Sequence, residues 1–469
     1  MKIEDTDLNY YEVGGSVRDR LMDREPTDRD FVIVGHTVDE VVDAGLEQVV
    51  GEDFPVFLDD EGKECAMART EEKVSDGHHG FEIQTSPEVG LEEDLARRDL
   101  TINAMALDPE GIWSRDSSTS VPFRLDDGTE IIDPFEGRFD IRNEIIRHTT
   151  EAFTEDPLRI LRAARFAARF DFDVADETVE LCRSIASRLT NISEERIAQE
   201  VIKTFKQAEE PSAFFHVLDD MDALNEVLPE LKSLQGVPAG PEEHHAEGDA
   251  FKHTMMVLDE APATVRCRFA ALAHDLGKAR TPEEKWPNHY GHDAEGVHVA
   301  ERLANRLKLS NELQGVMMDA AEQHMRFMRL DEMSYGKVIE LVERLDRSST
   351  HINPGELIEL CDADGRGRKP STPIPMEKQY ELRTLIVDAR MTIDLIGGEE
   401  VLKLHEEKNP GEWVGERIHQ LRVETLREAR ENNAGVPKSV EEAFPFMGYV
   451  EALKNVRDFE DITTEVNDD

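Results

Sequence analysis

The stretch GGSVRDRLMDREPTDRDFVIVG, residues 14–35, sets a glycine pair and an arginine ahead of two aspartates that lead into an apolar run. Gly14 and Gly15 end the extended segment YYEV and open a predicted helix, so backbone N–H groups can approach an anion where the helix dipole is positive. Arg18, one turn inside that helix, adds a fork of donors for the same phosphate. Asp28 and Asp30 stand two residues apart at the start of the predicted strand DFVIVG. Strand side chains alternate faces, so the two carboxylates point the same way. Two hard oxygen donors on one face suit Mg²⁺, an ion that also bridges nucleotide phosphates. An acidic pair alone says little: about a fifth of the residues are acidic, and roughly twenty such pairs arise by chance. The glycine pair, the arginine and the pair in this order carry the reading.

The 469 residues hold 102 acidic against 54 basic side chains, a net charge of −48 spread along the chain. Such a field repels nucleic acid. Near 1 M salt the screening length falls to about 3 Å, and the charge therefore fits a salt-rich cytoplasm. The N-terminus lacks the basic and apolar regions of a leader, and no run of apolar residues is long enough to cross a bilayer. The four cysteines show no CxxC spacing, which argues against a disulfide framework or a zinc ribbon. A soluble, cytoplasmic protein is expected.

Extended and helical pieces alternate from residue 10 to 107, which predicts a mixed α/β domain. From about Phe153 onward, apolar residues recur at three- and four-residue spacing and no strand signal returns with any strength. Glycine and proline punctuate LQGVPAGPEE (234–243) and RGRKPSTPIP (366–375). Residues 113–130 read as a polar surface loop and the acidic end as frayed. The expected division is 1–150, 151–236, 237–365 and 366–469.

GGSVRD followed by DRDFVIVG resembles the nucleotidyltransferase head of class II tRNA nucleotidyltransferases, the CCA-adding enzymes, and of related bacterial poly(A) polymerases. VGEDFPVFL (50–58), RRDLTINAMAL (97–107), DPFEGRFDIRNEIIRHT (133–149) and FTEDPLRILRAARFAARF (153–170) follow in the family's order. The resemblance implies an α+β chain: a polymerase-beta-like mixed α/β head, an all-α neck and body, and an all-α C-terminal domain. It assigns Asp28 and Asp30 to catalysis and to Mg²⁺, and nucleotide binding to Gly15, Arg18, Arg98, Asp156, Arg159 and Arg162, with Asp99 near the ribose.

Asp156 and Arg159, spaced i and i+3 at a predicted helix start, share a face, one accepting and the other donating. Cytosine and adenine each offer an amino donor beside a ring acceptor, whereas guanine and uracil reverse that order. Such a pair can imitate a template edge.

Residues 244–324 are dense in histidine: His244, His245, His253, His274, His289, His292, His298 and His324. His274 and Asp275 are adjacent, and helix packing can bring them to His253 on a divalent metal that activates water against a phosphate ester. With WPNHYGH (286–292) and DADGRGR (362–368), the segment resembles the HD phosphohydrolase superfamily in the form carried by bacterial multifunctional CCA proteins. That resemblance implies 2',3'-cyclic phosphodiesterase, 2'-nucleotidase and phosphatase activities. It also implies Ni²⁺ or Mg²⁺ on His253, His274, Asp275 and Asp364, with His292 and His324 outside the assigned set.

The expected activity is untemplated CCA addition to tRNA from CTP and ATP, without a membrane, as a monomer or homodimer. Poly(A) polymerase is the nearest alternative. A phosphohydrolase whose head only binds RNA is the second.

Overall fold

The structure is a computed structural model. It describes residues 1–436 except 27, 50–54, 74–80, 109–122, 126–127, 398–411 and 433–435. Part of the motif at 50–58, most of the polar loop at 113–130 and the acidic end therefore lie outside the described residues. The chain forms two compact units, residues 1–233 and 234–469.

The first unit is built on a sheet of eight strands. They are β1 (Tyr10–Val13), β2 (Asp30–Ile33), β3 (Glu47–Val49), β4 (Val56–Leu58), β5 (Glu64–Met67), Ala106–Asp108, Phe123–Arg124 and Glu130–Ile132. β1 sits at the centre, antiparallel to β2 and to Ala106–Asp108, while β2 runs parallel to β5. Pairing Val13 with Asp30 and Glu12 with Phe31 sends alternate residues to opposite faces. Tyr10, Phe31 and Ile33 pack with Phe57 and Val41 on one side. Tyr11, Val13 and Val32 pack with Leu95 and Ala104 on the other. A separate hairpin pairs Arg69–Lys73 with Phe81–Thr85.

Helix α1 (Gly15–Leu21) follows β1 at once, because Gly14 adopts φ +80°, a turn that a side chain would strain. Helix α2 (Val38–Asp43) starts at a Thr37–Glu40 capping box, and α3 (Leu91–Ala96) and α4 (Gly137–Arg142) complete the head.

Beyond it, α5 (Leu158–Phe170) buries Ile160, Leu161, Ala164 and Ala168 and packs against the later helices Glu194–Gln207 and Ser212–Asp220. One short strand does return here: Asp173–Val174 pairs in parallel with Ile145–Ile146. Two residues are too few to raise an alternating pattern, so periodicity gives no warning of it.

The second unit is helical in its described residues. Its helices include Ala250–Glu260, Val265–Ala273, His292–Arg306, Asn311–Phe327, Tyr335–Asp346, Pro354–Arg366, Met376–Leu395 and Glu412–Glu431. The proline-rich stretch after Arg366 is the coil before Met376. No helix among the described residues is long and apolar enough to cross a membrane.

Candidate active site and metal centre

A cavity of 720 Å³ in the first unit collects nearly every residue that the motifs single out: Gly15, Arg18, Asp28, Asp30, Arg98, Asp99, Asp156, Arg159 and Arg162. Ten arginines and lysines line it against five aspartates, inside a chain of net charge −48. The local reversal of sign marks a site for an anion.

Asp28 and Asp30 are exposed, and Arg29 between them turns to the other face of the sheet, where it meets Glu12. Only Asp30 belongs to β2; Asp28 sits just ahead of it. Although Asp30 is open to solvent, loss of hydration among the surrounding protein atoms pushes its carboxyl up, opposed by Arg98 and helped by Glu64, Asp28 and Glu12. A bound cation would favour the ionised form of Asp30, and two neighbouring carboxylates lining one cavity are hard oxygen donors, so this donor set fits a divalent metal.

Arg98 reaches Asp94 Oδ2 at 3.1 Å, and its Nε is buried without a hydrogen-bond partner. A Cβ at position 14 would lie 3.0 Å from its Nη1, so the glycine makes room for this guanidinium. Arg18 differs from expectation. Its Nε and Nη2 donate to Asp19 at 2.8 and 2.7 Å, its Nη1 to Asn103 at 2.5 Å, and its guanidinium covers Phe166 and Phe170. Much of its donor capacity is thus spent within the protein.

Asp99 is buried and accepts from Leu100 N at 2.9 Å, Asn103 Nδ2 at 3.1 Å and Arg162 Nε at 2.6 Å. Burial opposes its ionisation, yet Arg162 and the Asn103 bond outweigh it and hold the carboxyl down at about 2.

Asp156 lies outside α5 with an extended backbone; its Oδ1 accepts from Leu158 N at 3.0 Å. The expected shared helical face is therefore replaced by a capping acid beside a first-turn arginine. Asp156 Oδ2 accepts from Arg196 at 2.8 Å, while Arg159 donates to Ala152 O at 2.8 Å. Arg165 is buried against Glu200 at 2.6 Å, and Arg169 stacks on Phe170. Asn103, Arg196 and Lys203 were missed by sequence reasoning, since separations such as 85 residues for Arg18–Asn103 and 40 for Asp156–Arg196 leave no local spacing to read; Asp19 was missed although it adjoins Arg18.

In the second unit, His253, His274, Asp275 and Asp364 are all buried. His274 Nε2 lies 3.1 Å and His253 Nε2 3.6 Å from Asp275 Oδ2, and His253 Nε2 is 3.1 Å from Asp364 Oδ1. The other oxygen, Asp275 Oδ1, faces His292 at 3.5 Å and His324 at 3.6 Å. His292 and His324 thus join the cluster.

Three of the four rings are held from behind. Nδ1 of His274 meets Ala271 O at 2.7 Å, that of His292 meets His289 O at 3.0 Å and that of His324 meets Ala320 O at 3.0 Å. A carbonyl accepts only if Nδ1 carries the proton, which leaves Nε2 as a lone pair aimed inward. The buried Nε2 atoms of His253 and His274 have no hydrogen-bond partner, and this arrangement fits a divalent metal. Sequence reasoning missed Glu247, 3.1 Å from His253 Nδ1, and Lys278, whose Nζ is 2.6 Å from Asp275. The signal for Lys278 was its i+3 position after Asp275. Arg368 pairs with Asp364.

Three family models match: "Poly A polymerase head domain" over residues 10–147, "Probable RNA and SrmB- binding site of polymerase A" over 171–235, and "HD domain" over 245–363. The multifunctional CCA protein of Burkholderia cenocepacia is 39% identical over 431 residues, covering 90% of this chain and 99% of that protein. The chain belongs to the multifunctional CCA protein family. The relative from Paraburkholderia phymatum agrees, at 40% identity over 90% of this chain and 98% of its own length.

As a member of the multifunctional CCA proteins it is a nucleotidyltransferase of the CCA-adding kind with an added HD domain. The fold agrees with that of solved CCA-adding enzymes. That of Bacillus stearothermophilus in complex with CTP aligns with TM-score 0.58 at 22% identity, covering 98% of this chain and 94% of that one. The Thermotoga maritima enzyme complexed with tRNA gives 0.56 at 20%, covering 95% and 91%.

Proposed function

We propose that the first unit adds C, C and A to the 3' end of tRNA from CTP and ATP. The observation that supports this most is the placing of Asp28 and Asp30 in a cavity where basic groups outnumber acids two to one. Arg98, with a buried and unpartnered Nε beside Gly14, binds the triphosphate, and Gly15 lets it approach the backbone. Asp28 and Asp30 hold Mg²⁺, which when bound activates the attacking 3' hydroxyl and neutralises the leaving pyrophosphate. Asp99, ionised and pinned by Arg162, orients the sugar. Asp156 accepts the exocyclic amino group of cytosine or adenine and Arg159 donates to the neighbouring ring nitrogen, so guanine and uracil leave both groups mismatched.

In the second unit, His253, His274, Asp275 and Asp364 hold one divalent ion, Ni²⁺ or Mg²⁺, and the other oxygen of Asp275 with His292 and His324 offers a second position. Such an ion supplies an activated water for hydrolysis of phosphate esters, among them 2',3'-cyclic phosphodiesters and 2'-nucleotides. Lys278 and Arg368 hold Asp275 and Asp364 in their ionised forms. The working division is a head of 1–150, a base-recognition and neck region of 151–236, an HD domain of 237–365 and a helical C-terminal region of 366–469, in a cytoplasm rich in salt.

The test is incorporation of labelled CTP and ATP into tRNA lacking its terminus, with hydrolysis of bis(p-nitrophenyl) phosphate followed in parallel. Asp28→Ala should abolish addition and spare hydrolysis. Addition of ATP without CTP would favour poly(A) synthesis, and full addition by Asp28→Ala would remove the assigned metal site.

A further inference from the structure

Behind the sheet, on the face opposite the two aspartates, Glu12 is 2% exposed. It belongs to β1, opposite Phe31 in register. Its Oε2 alone accepts three N–H groups: Arg29 Nε at 2.9 Å, Arg29 Nη2 at 2.5 Å and Arg20 Nη2 at 3.1 Å. Arg20 comes from α1, the helix that opens at the glycine pair. Arg29 is the residue between Asp28 and Asp30. Oε1 is buried without a hydrogen-bond partner, and Glu12 lines a cavity of 220 Å³ with Tyr10, Phe31 and Leu107. One carboxylate oxygen thus ties Arg29, in the segment leading into β2, to the helix that follows the glycine turn.

We infer that Glu12 is a positioning residue for nucleotidyl transfer, holding the Asp28–Arg29–Asp30 segment at a fixed distance from α1 by gripping Arg29 from behind. The inference rests on the reading of Asp28 and Asp30 as the metal pair. The physical reason is chain continuity: Arg29 is bonded on both sides to an aspartate, so anchoring its side chain behind the sheet at the entry to β2 limits how Asp28 and Asp30 can turn. Asp28, which lies before the first ladder residue of β2, has no strand pairing of its own to hold it. A buried charge in this position also explains why Arg29 turns away from a cavity full of anion-seeking groups. Removing Glu12 frees Arg29 to turn toward solvent, and the acidic pair loses its backing.

The experiment measures CMP addition by the full chain as a function of CTP and of Mg²⁺ for Glu12→Gln, Glu12→Leu, Arg29→Met and the Glu12→Leu/Arg29→Met double variant. Groups that orient metal ligands typically contribute 10- to 100-fold, so Glu12→Leu should lower kcat by roughly that factor and raise the Mg²⁺ requirement with it. KM for CTP should stay within about threefold, because Arg98 and the glycine turn are untouched. Glu12→Gln, which keeps an acceptor and loses the charge, should fall between. Arg29→Met should lower kcat in the same way as Glu12→Leu, and the double variant should fall short of the product of the two losses, since both break the Glu12–Arg29 contact while Glu12→Leu also releases Arg20.

Folded variants with wild-type kcat and Mg²⁺ dependence, or a double variant that multiplies the two losses, would overturn the inference. If Glu12→Leu fails to fold, Arg29→Met decides, because that side chain is 39% exposed. Asp28→Ala and Asp30→Ala separate the two levels: if they retain addition, the metal pair is misassigned, and if they lose it while the Glu12 set is unaffected, only the present inference fails.

Discussion

Gly277 sits between Asp275 and Lys278, and its backbone rests against the start of the helix His292–Arg306. A Cβ there would fall well inside 3.0 Å of the His292 carbonyl oxygen, and would stand 2.5 Å from Gly296 N and 2.9 Å from Gly296 Cα. All three are backbone atoms, so no side chain can swing aside. At Gly296 N alone the shortfall is 0.5 Å against the 3.0 Å limit that real Cβ contacts respect, and at His292 it is greater. The helix must retreat, but Gly296 itself packs close to the next helix, where a Cβ would meet Ala321 at 3.1 Å. Overpacking of this kind costs about 1–3 kcal/mol. The shift carries His292 away from Asp275, now 3.5 Å distant.

Displacements near 1 Å at a reacting centre cost on the order of 100-fold. Gly277→Ala should therefore lower metal-dependent hydrolysis of bis(p-nitrophenyl) phosphate by roughly tenfold to hundredfold. CTP addition by the same preparation should be unchanged, because its residues lie in the other unit. A Gly277→Ala protein that hydrolyses the diester at the wild-type rate would refute the claim that this close approach sets the centre.

Asp156→Ala removes the acceptor proposed to read the amino group and also frees Arg196. Two mismatched buried groups are worth about 2–6 kcal/mol, a rejection of roughly thirtyfold or more, so the variant should misincorporate GMP and UMP in competition assays. Asp99 titrates near 2 against an ordinary 3.8, a difference worth about 2 kcal/mol. Because its folded value is depressed, that stability is present above pH 3.8 and disappears as pH falls toward 2; the advantage of wild type over Asp99→Asn in denaturant titrations should shrink over this window. Screening relieves the self-repulsion of a chain at −48, and CCA addition should rise with KCl toward 1 M; an optimum at low ionic strength would exclude the salt-rich setting.

The head was legible because its devices are local: a glycine turn, a helix, two residues of equal strand parity. The histidine cluster was legible as a density of ligand types, although the spacing could not say that His292 and His324 share Asp275 with His253 and His274. What escaped was long-range. Arg18 lines the cavity, but its bond to Asn103, 85 residues away, could not be read from spacing. Asp156 reads as a helical neighbour of Arg159 until the chain places it outside the first turn, where capping the Leu158 amide satisfies it. Asp173–Val174 is stabilised by a parallel partner and not by its own pattern.

The inversion of sign inside the first unit has a consequence for traffic. A polyanion meets a chain of net charge −48, and the cavity of 720 Å³ with its ten basic side chains is a place among the described residues where the sign is reversed. Selectivity for termini over the interior of RNA can thus begin as a matter of where the molecule allows negative charge to come to rest, before any base is inspected.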